Sequence, residues 1–531
     1  MKIWVAKESD TLRSIAQQCE VDVYDLLFIN PHITNPDMII QGMIINISEP
    51  LASPQASVTP LPVPVCPIAQ PVRLLDQWVP LTPLSEMEQA EYDILIIGTG
   101  MGGTAALWRL CEQLGKSSIR IGIIDRGGLL LPTNALNTPT LSDWNNMMEY
   151  YLSPAITEPI GDLLPEYSGL RMVYALGGRT LFWAGTTPRI PPFEFANWPI
   201  TYKEIEPYYN LAEQAMQVNR YSSPYNQLLL GRLWQGGYPE SSLLPEAVDY
   251  NGFSVHFNSL NFLAEALRLG SLDLAVNARA VRILTNGRSV TGVKVMSPDK
   301  TSYLLRAKTV IVAGSAFETP RLLLSSEIPG RAIGHYLINH SYMKSQGTLK
   351  PEDTAEGMVS LLIPQAENRP YQFKIGGTKT YLEFDVSGSI VPRFDNYVYL
   401  DPSRTDDYGI PSFQVNFSYN EVDKTVMVQM VQAIRQVASI MKMNLTPAAG
   451  RPEICLWPPG AENHDAGTCR LGDDPATSAT DRNGQIHGIS GLYVADNSLI
   501  PSLGPVNPSL TTAALAIRTA DHILKQLNAA E

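Results

Sequence analysis

The stretch Tyr92-Asp93-Ile94-Leu95-Ile96-Ile97-Gly98-Thr99-Gly100-Met101-Gly102-Gly103 decides the fold of most of this chain. Its first six residues are a compact, largely apolar run, the pattern of a parallel strand covered on both faces. Glycines in the spacing G-x-G-x-x-G follow at once, and Ala105, Ala106, Leu107 and Leu110 then support a helix. Gly98 permits the tight turn, Gly100 lets the backbone approach a pyrophosphate, and Gly103 allows close helix–strand packing. The helix N-terminus offers free N–H groups and a partial positive charge to that anion. A second apolar strand, Ile121 to Ile124, ends in Asp125. An acid about 20 residues beyond the fingerprint is where a carboxylate accepts hydrogen bonds from the adenosine ribose. The expectation is a Rossmann-like α/β dinucleotide-binding domain. The fingerprint alone does not separate FAD from NAD.

Around this core the chain is long, 531 residues, which predicts several domains. A net charge of −13 disfavours binding to nucleic acid or to anionic membranes. Cys19, Cys66, Cys111, Cys455 and Cys469 are few and widely spaced, without a CxxC pair, so reduced thiols and no metal are expected. The start, Met1-Lys2-Ile3-Trp4-Val5-Ala6-Lys7-Glu8, lacks the apolar stretch of a signal peptide. No run approaches the roughly 20 apolar residues of a membrane span, so a soluble, cytoplasmic protein is expected.

Residues 1–47 read as a small domain of strand, helix, helix and strand. Ser9-Asp10-Thr11 offers capping side chains before Leu12, Ile15 and Ala16, which share a helical face. The segment "SDTLRSIAQQCEVDVYDLLFINPHITNPDMIIQGMIINI" resembles a LysM module, with Ser9 where that family usually has Gly. The resemblance implies binding of N-acetylglucosamine-containing glycans. A docking or oligomerising module that has lost glycan binding is the alternative. Residues 48–90, including "PLASPQASVTPLPVPVCPIAQP", are Pro-rich and predict an extended linker that lies partly on the next domain.

From about Tyr92 to the C-terminus five ordered segments resemble the glucose–methanol–choline (GMC) oxidoreductase family. They are "LGGRTLFWAGTTPRIPP", "WPITYKEIEPYYNLAEQ", "VIVAGSAFETPRLLLSS", "NHDAGTCRLGDD" and "GLYVADNSLIPSLGPVNPSLTTAALAIRTADHI". The resemblance, nearest to pyranose oxidases and related sugar oxidoreductases, implies FAD as the cofactor. Gly177 and Gly178 supply backbone freedom beside a planar ring. Some pyranose oxidases bind the flavin through a His in this loop; Phe182 stands at the matching place, so non-covalent FAD is expected. Phe182 and Trp183 read equally as core aromatics. Leu274 to Val281 resembles a strand passing the adenine, with Val281 contacting the base through its backbone. Asp496, after the apolar strand Leu492 to Ala495, matches a position near the ribityl chain or pyrophosphate; strand capping is its competing role.

Taking a hydride from an alcohol carbon requires an acceptor for the hydroxyl proton and a donor for the developing alkoxide. His464 in "NHDAGTCRLG" resembles the family's catalytic histidine, and its neutral imidazole can accept a proton near physiological pH. Asn507 in "GPVNPSLTT" matches the position that this family fills with a second His or an Asn. Pro508 precedes a helix expected over Ser509 to Leu524, whose N-terminus would face the flavin pyrimidine. His340 is a candidate to line the pocket. His335 and His487 match no catalytic position, and His32, His256 and His522 read as structural.

These readings divide the chain into FAD-binding parts at 91–190, 251–335 and 454–531, and α+β substrate-domain parts at 191–250 and 336–453. An antiparallel sheet is expected there from "NYVYLDP" and "SFQVNFSY", and a lid from "SQGTLKPEDTAEGMVSLLIPQAENRPYQFKIGG", which lacks a clear period. The expected function is oxidation of a CH–OH group of a sugar or glycoside, with O2 or another electron acceptor. A flavin-containing lyase and a glycan-binding protein with secondary redox activity are the alternatives.

Overall fold

A computed structural model describes residues 2–47, apart from Thr34, and residues 79–530, apart from 116, 160–166, 252–253, 350–356, 379 and 449. Most of the expected linker, residues 48–78, and Cys66 with it, lie outside the described residues. The chain forms two compact units, Met1–Val72 and Arg73–Glu531.

The first unit has the expected order: β1 (Lys2–Val5), α1 (Leu12–Cys19), α2 (Val23–Ile29) and β2 (Ile44–Ile47), with the strands antiparallel. Thr11 caps α1 in a reciprocal capping box with Ser14, and Asp22 caps α2. Each such cap stabilises a helix by about 1 kcal/mol. Leu12, Ile15, Leu26 and Ile45 form its core. The buried Asn30 ends α2 and ties it to β2, its side-chain amide donating to Leu26 O and Asn46 O, 2.8 Å each.

The second unit is built on two seven-stranded sheets. In the first, β3 (Glu91–Ile97), β4 (Ile121–Ile124), β5 (Asp273–Ala275), β6 (Arg279–Thr285), β7 (Val290–Met296) and β8 (Ser302–Val312) lie in the order β5-β4-β3-β8-β7-β6, and Leu492–Val494 also pairs with β8. β5, β4, β3, β8 and Leu492–Val494 run parallel, whereas β6, β7 and β8 form an antiparallel meander. The helix α3 (Met101–Leu114) follows the fingerprint as expected. The expected single strand from Leu274 to Val281 is two strands. Asn277, with φ 53°, turns the chain between β5 and β6.

Residues 79–90 are more than a tether. Thr82 N donates to Leu274 O, Glu88 accepts from Leu304 N, and Met87 is fully buried against the first sheet.

The second sheet is antiparallel. Its centre is β9 (Ser341–Leu349), β10 (Val359–Ile363), β11 (Tyr371–Thr378) and β12 (Tyr381–Gly388), with Ser242–Leu243 and Met443–Thr446 at its edges and Ile454–Leu456 also on β9. Met343, Phe373, Ile375, Phe384 and Val386 pack under the helix α4 (Glu421–Met441). The alternate residues Tyr342, Lys344, Gln372, Lys374, Asp385 and Ser387 share the opposite face.

Two expectations are corrected here. "NYVYLDP" and "SFQVNFSY" do pair antiparallel, but as a separate two-stranded ribbon, Tyr397–Thr405 with Pro411–Asn416. The described part of the segment expected as a lid supplies β10 and β11 and the end of β9, in the middle of the sheet; residues 350–356 are outside the described residues. All five residues of β10 are buried, so the alternation that marks a half-exposed strand is absent.

Candidate active site

The fingerprint loop fits a dinucleotide. Gly98 adopts φ 102°, and a Cβ there would meet Ala313 O at 2.4 Å. A Cβ on Gly103 would meet Gly98 O at 2.0 Å, and one on Gly102 would meet Ala495 O at 1.7 Å. Gly102 was not singled out in the sequence, yet its approach to the strand end is the closest of the three. Gly100 differs: a Cβ there meets nothing within 4 Å. Gly100 is also the N-cap of α3, with no side-chain cap to occupy the first N–H groups. Open space at an uncapped helix start is what a pyrophosphate requires.

Asp125 follows β4, buried, and accepts from Thr99 N (2.8 Å), Thr99 Oγ1 (2.5 Å) and Gly127 N (2.8 Å). Burial pushes its carboxyl above the ordinary value, against these hydrogen bonds. Thr99 Oγ1 also accepts from Gly177 N at 2.8 Å, joining the fingerprint to the loop of Gly177 (φ 95°) and Gly178 (φ 54°). In that loop Phe182 packs against Tyr150 and Tyr151, and Trp183 Nε1 donates to Phe257 O at 2.6 Å. Val281 is the residue of β6 left without a partner in the register with β7, at a bulge. The Asp496 carboxylate accepts from Ser498 N, Ser498 Oγ, Ser315 N and Thr319 Oγ1, caps the turn at Asn497 and ties it to the helix Ser315–Ser325. A carboxylate has about four acceptor sites, so the side chain is fully occupied by capping.

The two expected catalytic residues come together. Asn507 precedes α5 (Ser509–Ala530), and its Nδ2 lies 3.1 Å from His464 Nε2. Thr512 N donates to Pro508 O, continuing the helix back to the residue after Asn507. Gln372 on β11 donates from Nε2 to Asn507 Oδ1 at 3.1 Å. On the other side of the ring, His464 Nδ1 lies 3.2 Å from His340 Nδ1 and 3.1 Å from Glu462 Oε2, and His340 Nδ1 lies 3.5 Å from the same oxygen. Burial pushes the His464 imidazole below its ordinary value, partly opposed by Glu462. Burial would raise the Glu462 carboxyl, but the two imidazoles overcome that and hold it well below the usual range. These three are also the one group among the described residues whose metal-type donor atoms lie within 4.8 Å of one another.

The next residue, Asp465, is fully buried and accepts from Tyr167 Oη (2.6 Å), Asn339 Nδ2 (2.7 Å) and Arg179 Nη1 (3.0 Å). Arg179 belongs to the Gly177–Gly178 loop. Hydrogen bonds and short chain links thus run from Thr99 through Gly177, Arg179 and Asp465 to His464.

Sequence reasoning singled out His340 only as a residue that could line the pocket, and missed Glu462 and Gln372. Glu462 had a weak signal, an acid two residues before His464. Gln372 had none, because its role depends on which strand brings it to Asn507. His335 stacks on Phe394, and His487 shares a hydrogen bond with Ser478 Oγ.

Two GMC oxidoreductase models match this chain, over residues 92–342 and 392–516, and a LysM domain model matches residues 5–48. The chain belongs to the GMC oxidoreductase family and carries a LysM domain at its N-terminus. It is similar to a 2-methyl-1,2-propanediol dehydrogenase of Mycolicibacterium austroafricanum, 23% identical over 82% of this chain and 96% of that one. A paromamine 6'-oxidase of Streptomyces fradiae is 25% identical over 82% and 92% of the two chains. A pyranose 2-oxidase of Tricholoma matsutake is 22% identical over 68% and 74%. The protein is therefore an oxidoreductase of a family whose members here act on alcohols and sugars. Among the described residues no helix is long and apolar enough to cross a membrane.

Proposed function

We propose that this protein binds FAD non-covalently and oxidises a CH–OH group of a sugar or glycoside, with O2 or another acceptor taking the electrons. The observation that carries the reading is the pairing of His464 Nε2 with Asn507 Nδ2, 3.1 Å apart at the start of α5. Bound FAD supplies the hydride acceptor. Gly100 and the start of α3 would hold its pyrophosphate, with Gly98 and Gly103 shaping that turn; Asp125 would hold its ribose and the backbone of Val281 its adenine. Gly177, Gly178 and Pro508 would lie along the flavin, with Asp496 acting through its backbone N–H, since its side chain is occupied.

In this reading His464 Nε2 takes the proton of the substrate hydroxyl. The substrate hydroxyl would replace Asn507 at the Nε2 lone pair, and Asn507 Nδ2 would then donate to the substrate oxygen, orienting it without titrating. Lys374 and Asp385, partly exposed on the polar face of the second sheet, suit a substrate rich in hydroxyl groups. Phe182, packed among tyrosines, offers no nucleophile for a covalent flavin link. The LysM unit, with Tyr24 and Phe28 exposed, is proposed to bind a glycan or a protein partner.

An anaerobic screen of sugars and glycosides against the flavin-loaded protein tests the reading. Bleaching of the flavin by a sugar is the expected result. Substrate turnover without bleaching would favour a lyase. Acid precipitation should leave a colourless pellet with FAD in the supernatant, and a yellow pellet would contradict non-covalent binding.

A further inference from the structure

Two buried titratable groups beside the proposed base remain without a task. His340 stands just before β9, and Glu462 lies two residues ahead of His464; their side chains are 0% and 4% exposed. The direction of the hydrogen bonds decides what they do. Gln372 donates to Asn507 Oδ1, which turns Asn507 Nδ2 toward His464 Nε2. An amide N–H only donates, so Nε2 accepts and the ring carries its proton on Nδ1. That proton is nearest Glu462 Oε2, a charged acceptor 3.1 Å away, with His340 Nδ1 3.2 Å from the same nitrogen.

We infer that His340 and Glu462 are the positioning residues of His464. Glu462 accepts the Nδ1 proton, which leaves the ring's lone pair on Nε2, and supplies the counter-charge for the imidazolium that forms; His340, 3.5 Å from the same carboxylate oxygen, holds Glu462 in place. The inference rests on the proposed role of His464. In the step concerned, the substrate O–H bond breaks and its proton bonds to Nε2, while the C–H bond breaks and a C=O bond forms; bound FAD would take the hydride, and neither His340 nor Glu462 gains or loses electrons. A buried carboxylate is costly unless charge opposes it, and beside His464 that cost is offset when the imidazolium appears. Three groups act on the His464 charge: Glu462 in its own loop, which favours it, and His340 and Lys374 on β11, which oppose it. Tyr342 on β9 and Tyr419 face Glu462 in turn.

The test compares anaerobic flavin reduction by one sugar, across pH, in the full-length holoenzyme and its variants. Glu462→Gln keeps the size and removes the charge. It should retain FAD and substrate affinity and slow reduction by roughly 10- to 100-fold, the span for losing a histidine's outer partner. The acid limb of its profile should move to lower pH, because the lost carboxylate had favoured the protonated ring; a purely structural role would lower the plateau and leave the limb in place. His340→Phe should slow reduction, and His340→Gln, which restores a polar partner for Glu462, should recover part of the rate. A Glu462→Gln enzyme with an unchanged rate and limb, alongside a slow His464→Ala enzyme, overturns this inference alone. A His464→Ala enzyme with near-normal reduction overturns the proposed reaction itself.

Discussion

Arg179 donates to Asp465 at 3.0 Å, from a loop 286 positions earlier in the chain to the residue beside His464. The acid is fully buried and the arginine side chain is 17% exposed. Removing one partner of a buried pair leaves a charge without compensation, which costs about 3–5 kcal/mol. Arg179→Ala should therefore lower the thermal unfolding temperature and the flavin content together. Lowered flavin reduction with unchanged stability would show instead that the pair acts only at the site.

Gly100 and Gly102 lie two residues apart and predict opposite phenotypes. Gly100 has φ −67° and open space at its Cβ position, so Gly100→Ala should fold normally and lose FAD, as the methyl enters the room left for the pyrophosphate. Gly102→Ala would drive a Cβ to 1.7 Å from Ala495 O and should fail to give soluble protein. Flavin-to-protein absorbance ratios and unfolding temperatures separate the two. A folded, fully loaded Gly100→Ala protein would remove the support for pyrophosphate binding at this loop.

The two units each have their own core, so chemistry should survive loss of the first. A chain starting near Leu75 should fold, bind FAD and match the full-length rate of flavin reduction. One starting at Glu91 loses Met87 from the core and the Glu88 contact to Leu304 N, and should unfold at lower temperature. Equal stability of the two truncations would contradict the packing of residues 79–90.

Much of this was legible because it is local. Strand β3, its glycines and α3 are contiguous, and Thr11 caps the helix that follows it. His464 and Asn507 were found through their motifs. What was not legible depends on long-range approach. His340 meets His464 across 124 positions, and Gln372 meets Asn507 across 135. The strand β10 concealed itself by being covered on both faces, and Asn277 broke one apparent strand into two by a left-handed turn that its neighbours do not announce. At Asp496 the alternative reading of the sequence matches the side chain: its oxygens cap and brace the turn.

The central claim is that His464 accepts the proton of the substrate hydroxyl. Burial holds its imidazole below the ordinary value of 6.5, so the free base should persist through neutral pH, and flavin reduction should fall only as the medium becomes acidic enough to protonate it. The most direct measurement is stopped-flow flavin reduction, without oxygen, in His464→Ala loaded with FAD. The account predicts unchanged flavin content and reduction slower by roughly 10²–10⁴-fold, the span for losing a positioned acid–base group. Reduction at a near-normal rate by the same sugar would contradict it.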